Sequence, residues 1–195
     1  MNGRIVFLLE EPSMKILLEN FLPRIFPGWK IREQFLCIAH EGKSDLRKSI
    51  PRKLRAWQDP RDRFVILQDQ DKSDCKVLKQ SLLDLCDQAQ RSDAMVRIVC
   101  RELEAWYFGN LSAVSKEYGE PSLLHPASRK KFQNPDSIDR PSETLERFVV
   151  GFQKLAGARR MAQCLSAESN SSRSFQVFLS GVRRLATEMG YSESI

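Results

Sequence analysis

Signatures of familiar chemistry are scarce in this sequence. There is no CxxC and no short Cys/His spacing. The five cysteines (Cys37, Cys75, Cys86, Cys100, Cys164) form an odd, dispersed set, which argues against a disulfide framework and against a zinc site. Cys37 and Cys100 fall inside predicted strands and read as buried thiols. No G-x-x-x-x-G-K-[ST] loop and no G-x-G-x-x-G is present, which disfavours nucleotide binding of those kinds. No G-x-S-x-G is found either, and no Ser–His or cysteine nucleophile has support. No apolar run approaches the roughly 18 residues of a membrane span. The N-terminus passes directly into a strand with no visible signal peptide, so a cytoplasmic location and no membrane partner are expected.

What the chain does carry is a modest excess of base. Its 195 residues hold 31 Lys and Arg against 25 Asp and Glu, a net charge of +6. The excess is clustered: Arg47, Lys48, Arg52, Lys53 and Arg55 crowd one segment, Arg129, Lys130 and Lys131 a second, and Arg159, Arg160, Arg183 and Arg184 lie toward the C-terminus. Such clusters suit a polyanionic partner when they flank a metal-binding rim, and are otherwise solvated helix faces.

Apolar strands alternate with amphipathic helices. Strands are expected at about residues 4–9, 32–39, 63–68 and 94–100. Helices are expected between them: one that ends near Pro23, one that starts at Ser44 and kinks or divides at Pro51, and one that runs to about residue 90. A helix over 101–108 follows the fourth strand. This β-α-β-α order specifies an α/β fold with a Rossmann-like parallel sheet of about four strands and flanking helices. After residue 110 the pattern changes to a short helix near 112–118, a Pro/Ser/Asn-rich loop over about 119–141, and helices near 142–150, 155–165 and 172–188. The division is therefore 1–110 for the α/β domain and 111–195 for a helical extension packed on it. The stretch 166–174 reads as a linker or turn, and 191–195 as a frayed tail.

Three of the four strands end on acid. The first runs into Glu10-Glu11, the third into Asp69-Gln70-Asp71, and the fourth into Arg101-Glu102-Leu103-Glu104. Ligands of parallel α/β sheets bind beyond the carboxyl ends of the strands, and Mg²⁺ takes one or two carboxylates together with substrate phosphates. In extended backbone Asp69 and Asp71 face one side. Glu10 is the residue chosen as ligand or general base, and Glu11 the one stabilising the next helix through its dipole. On a helix beginning at Arg101, Glu104 and Glu102 point different ways, and the choice between them stays open. His40-Glu41-Gly42-Lys43 ends the second strand; Lys43 is placed to meet a phosphate at a helix start, and His40 to make a polar contact or transfer a proton.

With these residues identified, the sequence resembles the Toprim pattern of topoisomerases, primases and overcoming-lysogenisation-defect (OLD) nucleases: a glutamate after the first strand (Phe7-Leu8-Leu9-Glu10) and a DxD after the third. The wider pattern, with His40–Lys43, Arg101–Trp106 and the Phe175–Leu185 segment, is similar to the DUF4276 family of small Toprim-like proteins. One position departs: Toprim domains usually carry Gly after the glutamate, where this chain has Glu11. The resemblance implies a Mg²⁺-dependent nuclease, with Mn²⁺ as substitute, placed in bacterial defence. Glu10, Lys43 and Glu104 would be catalytic, and Glu10, Asp69, Asp71 and Glu102 would be metal-linked. His40, Lys43, Arg47, Arg52, Lys53, Arg55 and Lys131 would contact DNA or RNA. Its alternative is a non-catalytic subunit that binds nucleic acid or a partner and works with an ATPase; a small-molecule phosphotransferase ranks last.

Overall fold

In the computed structural model, which describes residues 3–191, four parallel strands form one sheet. They are β1 (Ile5–Leu9), β2 (Phe35–Ala39), β3 (Arg63–Asp69) and β4 (Met95–Val99), in the order β2-β1-β3-β4. Of the tail expected over 191–195, Tyr191 is instead held, its N–H donating to the Ala186 carbonyl and its ring packing on Trp29, and 192–195 lie outside the described residues. β1 pairs with β3 in the register Ile5↔Arg63 to Leu9↔Leu67, so the two central strands end side by side.

Every residue of β1, and all of β3 after Arg63, is buried, because alternate side chains enter two different cores. Ile5, Phe7, Leu9, Val65, Leu67 and Val99 face a core completed by α1 (Pro12–Ile25), α8 (Lys154–Cys164) and α9 (Arg173–Glu188). Val6, Leu8, Phe64, Ile66, Val96 and Ile98 face the opposite core, under α2 (Lys43–Ala56) and α3 (Cys75–Gln88). The residues beyond 110 thus supply much of the cover of one sheet face, sharing its core with α1.

Several local expectations are corrected. β2 begins at Phe35, because the polar Arg32-Glu33-Gln34 has nothing to bury and forms a turn with Arg32 at φ +71°. α1 continues through Pro23 to Ile25: proline's φ suits a helix, and only one hydrogen bond of the final turn is lost. α2 begins at Lys43 after Gly42, at φ +94°, and passes Pro51 unbroken. Cys100 lies just past β4 and is half-buried, whereas Cys37 is buried within β2. The 119–141 segment is a chain of short helical turns, including α6 (Pro126–Lys131), pinned by buried Leu123, Phe132 and Pro135.

The 166–174 stretch is tied down rather than loose. Asn170 donates to the Trp106 carbonyl at 2.8 Å and accepts from Ser172 N at 2.9 Å. A Cβ on Gly109 would fall 2.0 Å from the Asn170 Oδ1, so only glycine lets this latch close. Asp136 then accepts from Ser174 N (2.8 Å) and Ser172 Oγ (2.6 Å), fixing the start of α9.

At the opposite end of the sheet, Asp62 is fully buried and accepts from Arg4 N (2.6 Å), Arg4 Nη2 (2.8 Å) and Trp57 Nε1 (2.8 Å). It ties the beginnings of β1 and β3 to the end of α2. Asp62→Ala leaves these donors stranded, and a loss of about 3 kcal/mol is expected from urea midpoints. Asp62→Asn, which keeps an acceptor, is expected to lose less.

Candidate active site

The strand order reverses between β1 and β3, and this is where such sheets open a crevice at their carboxyl ends. Glu10 follows β1 directly and Asp69 closes β3. They meet there: Glu10 Oε2 accepts the Asp69 backbone N–H at 3.0 Å. Both are buried, at 9% and 4% exposure, and Asp69 Oδ1 has no hydrogen-bond partner.

Asp71 lies beyond the strand that carries Asp69, though its charge still reaches Glu10. The strand stops at Asp69, Gln70 N and Asp71 N turn toward the carbonyls of Val99 and Arg101, and Asp71 adopts φ +47°. Its carboxylate is half-exposed and paired with the Lys43 ammonium. Extended alternation therefore fails at the second aspartate.

The fourth-strand cluster also differs from expectation. α4 (Glu104–Phe108) starts only at Glu104, and Arg101 is left-handed at φ +61°, so the helical-face comparison from Arg101 does not apply. Glu102 turns outward and accepts from Ser142 N at 2.8 Å, at the start of α7 (Pro141–Glu146). Glu104 turns inward, with no exposure and no hydrogen bond to either carboxylate oxygen.

Glu104 and Asp69 belong to a charged cluster that also takes in Glu11 and Lys154. Lys154 Nζ, on the first residue of α8, lies 4.0 Å from Glu104 Oε2 and 3.8 Å from Glu11 Oε2. Glu11, assigned from sequence to the helix dipole, thus faces this cluster while also accepting from Ser13 Oγ. The buried hydroxyl of Tyr107 has no partner either. Two successive acids after an apolar strand were the signal for Glu11; nothing near residue 154 could have indicated the lysine.

Burial dominates the protonation of these groups. It raises Glu10 to about 7 despite the nearby Lys43 and the Asp69 N–H. It raises Glu104 to about 7 despite Lys154. Asp69 is pushed well above the carboxylate range by burial, and then by Glu11, Glu10 and Glu104. Burial pulls the Lys154 ammonium down, but Glu104 and Glu11 outweigh it and hold it above its ordinary value.

The residues assigned to nucleic-acid contact are distributed unevenly. Lys43 borders a cleft of about 710 Å³ lined also by Asp71, Ser73, Glu102, Arg140 and Glu143. Arg52 and Arg55 are exposed on α2, with Arg55 bonded to the Gln88 carbonyl, and Lys53 is half-buried. Arg47 bonds Ser81 Oγ at 2.7 Å. Lys131 lies apart, in α6, over the Phe132 ring. His40 is 5% exposed, and both its ring nitrogens are engaged, by the Leu9 carbonyl (2.8 Å) and Ser49 Oγ (2.7 Å); it fastens α2 to the end of β1.

A carboxyl group whose pKa is raised on folding favours the native state at low pH. That advantage fades as pH rises from 4.5 through about 7 for Glu104. In metal-free buffer, Glu104→Gln is therefore expected to gain stability over the parent chain as pH increases, by on the order of 3 kcal/mol at pH 8. Thermal melts at pH 5 and pH 8 check this; equal differences at both values would contradict it.

With the geometry established, the comparisons with known proteins can be placed. The chain is similar to a solved structure of the C-terminal region of the Burkholderia pseudomallei OLD protein. The TM-score is 0.58 and the identity 16%, with coverage of 94% of this chain and 98% of that one. At that identity the likeness is one of fold. No curated protein matches it. Residues 9–183, which include Glu10, Asp69, Glu104 and Lys154, match the family described as "Domain of unknown function (DUF4276)", and the chain belongs to that family.

Proposed function

We propose that the protein is a Mg²⁺-dependent nuclease acting on DNA or RNA. The observation that carries this reading is the contact of Glu10 and Asp69 at the switch point of the sheet, next to buried carboxylate oxygens that have no hydrogen-bond partner. Orphaned anionic oxygens in a protein interior are costly unless a cation or proton meets them.

The donor chemistry fits a hard cation. Among the described residues no group of three His, Cys, Asp or Glu side chains is arranged to hold a metal ion by itself. Mg²⁺ needs only one or two protein carboxylates, because it completes its coordination with substrate phosphates and water. Glu10 and Asp69 would hold it, with Glu104 behind them and Asp71 and Glu102 on the outer rim. When bound, it would polarise the scissile phosphate and lower the pKa of an attacking water.

The remaining work falls to this chain's own groups. Glu10, raised to about 7, is suited to accept a proton near neutral pH. Lys43 can exchange Asp71 for a substrate phosphate at the start of α2, and Lys154 balances the charge of Glu11 and Glu104. The basic surface carrying Arg52, Lys53 and Arg55 would steer the phosphodiester backbone.

A second reading also has an observation behind it: the pairing of lysines with Asp71, Glu11 and Glu104 gives those carboxylates internal counter-ions. That arrangement fits a non-catalytic subunit that binds nucleic acid and works with an ATPase partner in a defence system.

Plasmid and single-stranded substrates incubated with Mg²⁺ or Mn²⁺ separate the two. Cleavage is expected, and Asp69→Ala is expected to lower it by more than the roughly 10–100-fold typical of outer-shell partners. Mn²⁺ should raise the melting temperature of the parent chain but not of Asp69→Ala. Cleavage unchanged in that variant would end the nuclease assignment, and binding without cleavage or Mn²⁺ stabilisation would establish the second reading.

A further inference from the structure

The open edge of the sheet carries an unexplained charge. β4 is the outer strand, and Arg97 lies in its middle on the side facing α9. Its guanidinium is half-buried and bonded only to carbonyls: Nε to Val177 at 3.3 Å and Nη1 to Val96 at 3.0 Å. α9 makes room for it with glycine in mid-helix. A Cβ on Gly181 would lie 2.8 Å from Arg97 Nη2 and 2.6 Å from Met95 Sδ. Both atoms belong to flexible side chains, so the glycine gives the guanidinium room to lie against the helix without being strictly required for it.

No acid neutralises the seated arginine. Among the described residues neither Arg97 nor Arg173 has an ion-pair partner, while Arg184, paired only with Glu188 at 3.6 Å, adds a like charge. Burial and Arg184 together pull the Arg97 guanidinium below its ordinary value. Arg173, Gln176, Arg97 and Arg184 line one groove of about 330 Å³. A charge on an edge strand also deters strand pairing, but that role requires neither a glycine seat nor two more arginines.

We infer that the groove between the β4 edge and α9 is an oxyanion site that takes a stretch of phosphodiester backbone. Arg173 and Arg184 are separated by about 16 Å along the helix axis, more than a single phosphate can span. The cations form a track rather than a point. The track starts beside the carboxyl end of the sheet, since Ser174 Oγ accepts from Trp106 Nε1 at 2.9 Å, two residues beyond Glu104. It lies across the sheet from α2, so a strand engaged at the acidic rim would be held on both sides. The inference rests on the proposed action on nucleic acid but not on catalysis.

Fluorescent single-stranded and duplex oligonucleotides, titrated with the intact chain in EDTA, test it without cleavage. Arg97→Gln is expected to weaken binding several-fold. The triple variant Arg97→Gln/Arg173→Gln/Arg184→Gln is expected to lower the slope of log K against log salt by about two to three. Arg97→Gln should melt no lower than the parent, because it removes a half-buried charge without an anionic partner. Parental affinity and salt slope in the triple variant would overturn the inference. So would polyglutamate competing as well as oligonucleotide in an Arg97-dependent way, which would make the groove a seat for an acidic protein. Binding that maps to the groove without Mg²⁺-dependent cleavage would leave this inference standing and remove the nuclease reading; cleavage with a silent groove would do the reverse.

Discussion

The hydrogen bond from the Asp69 backbone to the Glu10 carboxylate is the contact around which the molecule is organised. It requires β1 and β3 to be neighbours, parallel and in one register, so that Glu10 leaves β1 beside the last residues of β3. Those conditions are met because the two strands are apolar throughout and fill cores on both faces. Chemistry at the rim is thus a by-product of how the sheet is buried. His40 secures the same corner from the other side, tying the Leu9 carbonyl to Ser49 of α2.

Burial that aligns these strands also makes their acids expensive. Asp69 and Glu104 lose hydration without gaining hydrogen bonds to their free oxygens, and Lys154 answers their charge. Proteins tolerate such local cost where function needs it and recover stability elsewhere. Here the recovery is visible in the Asp62 cluster at the far end of the strands and in the aromatic packing of Trp106 against Phe175 and Phe178.

Much of the fold was legible because apolar runs and helical stripes report burial directly. β1, β3 and β4 were found within a residue or two, and the C-terminal helices were located, though the one near 142–150 proved shorter. Glu10 and Asp69 were legible for the same reason, standing where apolar runs stop. Backbone geometry was not. Positive φ at Asp71 and Arg101 takes each residue out of simple strand or helix geometry, and sequence pattern carries little trace of it. Long-range pairing was not legible either: Lys154 meets Glu11 across 143 positions, and Asn170 closes on Gly109 through a close approach that only coordinates reveal. The 119–141 segment misled because its anchors, Leu123 and Phe132, are isolated rather than periodic.

Lys154 stands at the first residue of α8, a helix packed along α1 and otherwise remote from the strand ends. The acidic rim therefore borrows its positive charge from the back cover of the molecule.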